Sequence, residues 1–246
     1  MDGFVLAGGQ STRMGRDKAL LELNGRALVA LAVEKLQAVG LDAKICGARA
    51  EATAELARFA EVIPDHFAQS GPVAGIEAGL AVGEVALSLF LAVDIPLVPA
   101  EFLHWIMERA GTSGAAATIP IAGGVPQPLC AVYSRRLLEG LRTAIAAGHL
   151  KMMTAVEEAV AALGERVDLF QVESVASGLP AGIWPMDPPL RRWFLNANTP
   201  EEWARVSGLG WMVSELVRHA PGADQKQPTA GPSTSFGATR VRLRSG

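Results

Sequence analysis

The residues best suited to chemistry form a glycine-rich loop near the amino terminus, Leu6 to Lys18, which reads LAGGQSTRMGRDK. Its glycines follow a short apolar run, so backbone N–H groups can approach an anion closely and form a nest for phosphates. Arg13 offers a forked donor to phosphate oxygens, and Lys18 offers a compact charge. Both suit a triphosphate whose negative charge grows on the leaving pyrophosphate; the alternative is an exposed turn with two incidental cations. The spacing matches neither the Walker A loop nor the GxGxxG dinucleotide pattern.

A second candidate, Asp94, ends the run Leu87 to Val93, which is apolar on both faces except for Ser88. That composition predicts a central parallel strand covered by helices on each side. A carboxylate at the carboxyl end of such a strand faces the crevice where open α/β sheets bind ligands. Mg²⁺ prefers one or two carboxylates together with phosphate oxygens and water, so Asp94 is the metal candidate. The alternative is an aspartate that caps the following turn.

The histidines and cysteines give no comparable pattern. The four histidines are scattered along the chain, and each is more typical of a surface or capping position than of a catalyst. Cys46 and Cys130 form no CxxC pair and no cluster with histidine, so we expect neither a zinc site nor a disulfide scaffold. Reduced, buried thiols are the expectation.

The bulk composition favours small-molecule chemistry. With 246 residues, 50% of them hydrophobic, the chain can bury a large core, and its net charge is only -3. No long basic stripe occurs in the first two hundred residues, so we expect neither nucleic acid nor a membrane as partner. The chain begins without a cationic leader, and no apolar run approaches the roughly 18 residues of a membrane span, which predicts a cytoplasmic protein.

The elements that must position these residues alternate between apolar runs and helical patterns. This alternation predicts an α/β fold with βαβ units, in which helices cover both faces of a mainly parallel sheet. We expect one domain over residues 1–219 and a disordered tail over 220–246, which is rich in Pro, Gly, Ser and Thr. The expected strands are 3–6, 43–46, 61–63, 87–93, 115–121 and 129–133, and the expected helices are 27–39, 51–59, 73–82, 100–110, 135–147, 154–163 and one from 201.

The first loop resembles that of a family of nucleotidyltransferases in which it reads LAGG…S.RMG..K, and among them the molybdenum cofactor guanylyltransferases. Four more segments are similar to that family in the same order, so that the resemblance covers roughly residues 3–206. They are Leu21 to Gly25 (LELNG), Gly71 to Ile76 (GPVAGI), Asp94 to Pro96 (DIP) and Asn196 to Glu202 (NANTPEE).

The resemblance implies a Rossmann-like fold of the nucleotide-diphospho-sugar transferase type. It also implies an enzyme that transfers GMP from GTP to molybdopterin or its molybdenum form, with Mg²⁺ as cofactor and release of pyrophosphate. Arg13, Lys18 and Asp94 are the expected catalytic residues, and Asp94 is the expected metal ligand. The residues expected to bind the nucleotide are Leu6, Ala7, Gly8, Gly9, Ser11, Arg13, Gly15, Lys18, Asp65, Gly75 and Asp94, of which Asp65 is equally compatible with a simple turn.

On the acceptor side, the resemblance points to Gln127 and Lys151. Asn196 and Asn198 can both donate and accept hydrogen bonds through their amides, which would suit either the acceptor side or the metal shell. The alternative for the two asparagines is that they organise the start of the helix at Pro200. Molybdoenzymes or their chaperones are the implied recipients of the product.

One departure concerns the end of the second strand, where the family commonly has an asparagine near the nucleotide. Here the chain reads Lys44 to Ala48 (KICGA), and neither a thiol nor an apolar side chain replaces the paired donor and acceptor of an amide. The LAGG form of the loop still favours guanine over cytosine. The alternatives are a molybdopterin cytidylyltransferase, a sugar-phosphate nucleotidyltransferase, for which the chain is short, and a non-catalytic carrier of nucleotide or cofactor.

Overall fold

A computed structural model describes residues 1–8, 17–67 and 69–207. Gly9, Ser11, Arg13 and Gly15, four of the residues expected to bind the nucleotide, lie outside the described residues. The tail expected over 220–246 lies outside them as well, so its predicted disorder stays a prediction.

The described residues form a central seven-stranded sheet, in which the order β4-β1-β5-β8-β6-β7 is completed by β9 beside β6. Strands β4, β1, β5, β6 and β9 run in one direction, while β8 and β7 run in the other. The mainly parallel α/β sheet expected from the sequence is therefore confirmed. The strands are β1 (Asp2–Leu6), β4 (Ala43–Cys46), β5 (Leu87–Ala92), β6 (Ala117–Ala122), β7 (Val125–Pro126), β8 (Cys130–Ser134) and β9 (Val167–Gln171), and a separate hairpin is formed by β2 (Glu22–Leu23) and β3 (Arg26–Ala27).

Helices cover both faces of this sheet. One layer contains α1 (Leu28–Ala38), α4 (Ala100–Ser113) and α7 (Val172–Gly178), and the other contains α3 (Pro72–Val82), α5 (Leu138–Ala146) and α6 (Met152–Ala162). The short α2 (Thr53–Leu56) follows β4, and α8 (Pro200–Ser207) ends the described chain. Local sequence explains several ends: Gly40 follows α1 with φ +82°, and Pro72 occupies the first turn of α3, where a missing N–H costs nothing.

The core lies between the sheet and each helix layer. On the α3 side, the ring of Phe4 stacks on that of Phe90 at 5.1 Å. On the α4 side, Phe102 is surrounded by aromatic rings from the carboxyl-terminal segment, including Trp184 and Trp193 at 5.4 Å and 5.7 Å. These ring contacts pack residues 184–194 against α4. The same segment continues to residues 196–198 at the candidate site, so its packing helps to position them.

Two expectations about elements need correction. The strand expected over 61–63 is reduced to a single bridge between Ile45 and Val62, because the chain leaves the sheet at Pro64. The helix expected over 51–59 contains a 3-10 turn followed by the four residues of α2. A turn at Gly123 and Gly124 follows β6, and the short β7 that comes after it was not expected from the sequence, nor were β9 and α7.

Across the described part of the chain, every helix is too short or too polar to cross a membrane.

Candidate active site

The carboxyl ends of three adjacent parallel strands meet at one edge of the sheet. Gly8 follows β1 after Ala7, Gly47 follows β4, and Asp94 follows β5. The backbone continues to hold these ends together, since the Ala7 N–H donates to the Cys46 carbonyl at 2.9 Å and the Val93 N–H donates to the Leu6 carbonyl at 3.1 Å. With β4 on one side of β1 and β5 on the other, this edge is the switch point where open α/β sheets bind ligands.

Three glycines allow the backbones around this point to approach each other. A Cβ on Gly8 would lie 2.4 Å from the Gly47 carbonyl oxygen, and Gly47 itself has φ +72°. A Cβ on Gly75, in α3, would lie 3.2 Å from the Gly47 Cα. Gly8 and Gly75, both expected to bind nucleotide, are thus required by the close packing of β1, β4 and α3, and the crevice floor consists of backbone.

Asp65 fastens the loop after β4 to the same floor. Its Oδ1 accepts a hydrogen bond from the Gly47 N–H at 3.0 Å. Partial burial raises the pKa of the Asp65 carboxyl, an effect that the hydrogen bond from Gly47 opposes. The aspartate expected either to contact the nucleotide or to stabilise a turn therefore has a demonstrated local role, and it remains partly exposed beside the crevice.

Lys18 lies at the centre of the site. Its side chain is 8% exposed, and its Nζ donates to Asp94 Oδ2 at 3.2 Å. The same ammonium donates to Asn198 Oδ1. Three residues proposed from separate parts of the sequence thus converge on one point at the carboxyl edge of β5.

The preceding residue, Asp17, positions the ammonium of Lys18. The Asp17 side chain accepts a hydrogen bond from the Ala19 N–H at 3.0 Å and caps the 3-10 turn that carries Lys18. Arg49, which lies beyond Gly47, donates to the same carboxylate at 3.0 Å. Sequence reasoning missed both residues, although an aspartate immediately before a turn is a recognisable capping signal.

The carboxyl-terminal segment closes the site from the α4 side. The Ala197 N–H donates to the Asp94 carbonyl at 3.0 Å, which holds the segment against the end of β5. Next, the Glu202 carboxylate accepts from the N–H groups of Asn198 at 2.8 Å and Thr199 at 3.1 Å, while Thr199 Oγ1 accepts from the Glu202 N–H at 3.1 Å. This reciprocal arrangement is a capping box, and it leaves the Asn198 side chain free to reach Lys18.

The remaining acceptor candidates, Gln127, Lys151 and Asn196, lie in three separate segments of the chain. Gln127 belongs to the connection between β7 and β8, where its N–H donates to the Pro120 carbonyl at 2.8 Å and its side chain donates to the Val125 carbonyl. Lys151 is exposed just before α6. Asn196 is exposed two residues before Asn198. Of the four candidates, Asn198 is the one hydrogen-bonded to Lys18, which in turn pairs with Asp94.

The cysteines lie in the core. Cys46 and Cys130 are both buried and free, and burial raises the pKa of each thiol, that of Cys130 to about 12. The Cys46 side chain is therefore closed off from solvent, and the residue at the end of β4 that meets Gly8 and Gly75 is Gly47. Among the described histidines, His66 pairs with the buried Glu77 at 2.9 Å, and His104 and His149 pair with exposed glutamates.

The oxygen donors present fit a hard divalent cation. Within residues 1–8, 17–67 and 69–207, no three His, Cys, Asp or Glu side chains converge to form a complete metal site. Asp94 and the amide oxygen of Asn198 instead supply two oxygen donors around the Lys18 ammonium. Such a partial set suits Mg²⁺, which usually takes one or two carboxylates and completes its shell with phosphate oxygens and water.

An open α/β sheet, a glycine-rich loop after its first strand and a lysine–aspartate pair at the switch point define the class of nucleotidyltransferases. Residues 3–163 match the family described as the MobA-like NTP transferase domain, and the chain belongs to that family.

Named relatives extend the similarity along the chain. A probable molybdenum cofactor guanylyltransferase from Pelotomaculum thermopropionicum is 34% identical over 61% of this chain and 72% of its own length. One from Thermococcus kodakarensis is 30% identical over 85% of this chain and 95% of its own. The crystal structure of molybdopterin-guanine dinucleotide biosynthesis protein A from Archaeoglobus fulgidus superposes with a TM-score of 0.69 at 27% identity, covering 87% of this chain and all of that one.

Proposed function

We propose that this nucleotidyltransferase transfers GMP from GTP to molybdopterin or its molybdenum form, producing the guanine dinucleotide cofactor and pyrophosphate. The observation that carries the proposal is the convergence of Lys18, Asp94 and Asn198 at the switch point of the sheet. The names of the relatives supply the nucleotide and the acceptor, since they are molybdenum cofactor guanylyltransferases. The domain proposed to carry this activity is residues 1–219.

In the proposed reaction, a terminal phosphate oxygen of the acceptor attacks the α-phosphorus of GTP. The bond between the α-phosphorus and the bridging oxygen breaks, and pyrophosphate leaves with the electron pair. Because the acceptor phosphate is already ionised at neutral pH, no general base is required. The work of the protein is to align the two phosphates and to stabilise the charge that develops on the leaving group.

Lys18 is proposed to stabilise that charge. In the structure its ammonium is held between Asp94 and Asn198, which orients a buried cation without help from the substrate. A triphosphate entering the crevice would offer Nζ a further set of anionic oxygens at little cost in reorganisation. Arg13, in the loop that precedes Lys18, is proposed as a second donor to the phosphates.

Asp94 and the Asn198 amide are proposed to hold Mg²⁺, which would neutralise phosphate charge when bound. Other proposed nucleotide contacts are the backbone of Leu6, Ala7, Gly8, Gly9, Ser11 and Gly15, together with Asp65 and Gly75. The pterin is proposed to lie on the side of the crevice bordered by Gln127, Lys151, Asn196 and Asn198. Transfer of the product to molybdoenzymes or their chaperones, and a cytoplasmic location, stay predictions from the sequence.

The test is release of pyrophosphate from GTP, CTP and ATP, each with Mg²⁺, in the presence and absence of molybdopterin. Acceptor-dependent release from GTP alone is the expected result. Release from CTP would make the protein a cytidylyltransferase. A folded protein that releases pyrophosphate from none of the three would instead be a carrier of nucleotide or cofactor, and the proposal would be wrong.

A further inference from the structure

Lys35 is an unexpected residue in the core. It lies on the buried face of α1, among Leu31, Ala32 and Leu36, and is only 2% exposed. Burying an amine in an apolar layer costs free energy unless the amine gains a partner of comparable strength. Its position in an otherwise apolar helical pattern gave no indication of a functional role.

The partner of this amine belongs to the loop that carries Asp94. Lys35 Nζ donates a hydrogen bond to the backbone carbonyl of Pro96, two residues beyond Asp94. Pro96 is itself buried, so its carbonyl cannot use water, and the amine satisfies it. Proline at this position also supplies no N–H with which the loop could bind elsewhere.

The loop that begins at Asp94 is thereby held at two carbonyls, that of Asp94 itself and that of Pro96. Lys35 holds the carbonyl of Pro96 from α1, and the Ala197 N–H holds the carbonyl of Asp94 itself from the carboxyl-terminal segment. The Asp94 side chain branches from the backbone just before the first of these carbonyls and projects toward Lys18. A change at Lys35 would therefore alter the direction of the carboxylate without touching it.

The electrostatic surroundings of Lys35 agree with a role in positioning the loop rather than in stabilising the fold. Burial lowers the pKa of Lys35 to about 7, an effect opposed by Cys130 and Glu101 and reinforced by Arg26. A lysine in this condition adds little to stability, because desolvation of its charge offsets the hydrogen bond that it makes.

We propose that Lys35 is a positioning residue, which orients the Asp94 carboxylate for its metal through the Pro96 carbonyl. The inference rests on the proposed function insofar as Asp94 binds a divalent cation with the nucleotide. Its central expectation concerns metal affinity, which can be measured without turnover. Failure of guanylyl transfer and failure of this inference are therefore distinguishable.

The experiment compares wild type with Lys35→Met, which keeps the length of the side chain but removes the donor. Binding of Mn²⁺ in the presence of GTP is followed by the electron paramagnetic resonance signal of the free ion. We expect Mn²⁺ affinity to fall about three- to tenfold and kcat about tenfold or more, with a smaller change in KM for GTP. The matched control is Lys44→Met. Lys44 is a half-buried lysine on β4 whose ammonium pairs with Glu61 at 3.4 Å, and its replacement should leave the Mn²⁺ affinity and kcat unchanged.

A double-mutant cycle separates positioning from general damage. If Lys35 acts through Asp94, then Lys35→Met combined with Asp94→Asn binds Mn²⁺ no more weakly than Asp94→Asn alone. Losses that multiply in the double variant would overturn the proposal, as would wild-type Mn²⁺ affinity in Lys35→Met. Lys35→Gln, which restores a donor, should recover part of the affinity. A Lys35→Met protein that cannot fold would also overturn it, because the role of the amine would then be structural.

Discussion

The α-carbon of Gly8 faces the carbonyl oxygen of Gly47 so closely that a Cβ on Gly8 would lie 2.4 Å from that oxygen. The contact joins the end of β1 to the end of β4 through rigid backbone, so neither side can move aside as a flexible side chain would. Any side chain at position 8 must push the glycine-rich loop away from the crevice floor.

Gly8→Ala should therefore lower the free energy of unfolding by on the order of 2 kcal/mol or more and weaken nucleotide binding. The matched control is Gly111→Ala in the last turn of α4, where an added Cβ meets nothing within 4 Å. There we expect no loss, or a gain of up to about 1 kcal/mol from helix propensity. Chemical denaturation and GTP titration measure both effects, and equal behaviour of the two variants would contradict the packing argument.

Lys18 and Asp94 should act as a unit in turnover. Lys18→Met retains the buried stem but removes the charge, and Asp94→Asn retains the shape but removes the anion. Each should lower kcat by on the order of 10² while leaving the melting temperature within a few degrees of wild type. Because the two groups are in direct contact, the double variant should lose less than the product of the single losses. Wild-type turnover in either single variant would remove that residue from the site.

Glu202 should influence the site through the start of α8. Glu202→Ala removes the acceptor for the N–H groups of Asn198 and Thr199, which should cost about 1 kcal/mol in unfolding free energy. Since Asn198 then loses its fixed approach to Lys18, we also expect a higher KM for the acceptor. Glu202→Gln keeps an acceptor at the same place and should stay close to wild type in both measurements. If the alanine variant has a wild-type KM, the cap does not position Asn198.

These residues illustrate what the sequence could and could not predict. The loop composition identified Lys18, and the abrupt end of an apolar run identified Asp94, because both signals are local. The capping box was also readable, as a threonine followed three residues later by a glutamate. The contact between Asn198 and Lys18 could not be predicted, because the two residues are 180 positions apart. It depends on how aromatic rings such as that of Trp193 pack the intervening segment against α4.

The two faces of β4 show another limit of sequence reasoning. A strand covered by helices on both sides is apolar on both faces, so its pattern does not reveal which side chain approaches the ligand. Cys46 was expected to be a reduced, buried thiol, and the structure confirms this. The segment around it was also expected near the nucleotide, but the pattern did not show that Gly47 is the residue that meets the end of β1 there. The role of Lys35 could not be predicted for a similar reason. Its long aliphatic stem fits the apolar pattern of α1, and only the fold shows that its amine reaches the Pro96 carbonyl.

The final prediction concerns the pH dependence that Lys35 imposes on stability. Its pKa is lowered to about 7 in the folded protein, against 10.5 for an ordinary lysine. Below pH 7 both states carry the proton, so the full cost of the buried charge is present. Between pH 7 and about 10 the unfolded chain binds more protons than the folded one, so this group makes the free energy of unfolding rise with pH, by at most about 1.4 kcal/mol per pH unit.

Lys35→Met lacks this contribution. The unfolding free energy of the variant minus that of wild type should therefore be largest near pH 6 and should decrease steadily toward pH 9. Urea denaturation of both proteins at matched pH values measures the difference and cancels the titration of all other groups that the substitution leaves alone. A difference that is constant between pH 6 and pH 9 would mean that the pKa of Lys35 is not lowered in the folded protein. The hydrogen bond to the Pro96 carbonyl would then have to offset the desolvation of the ammonium in full.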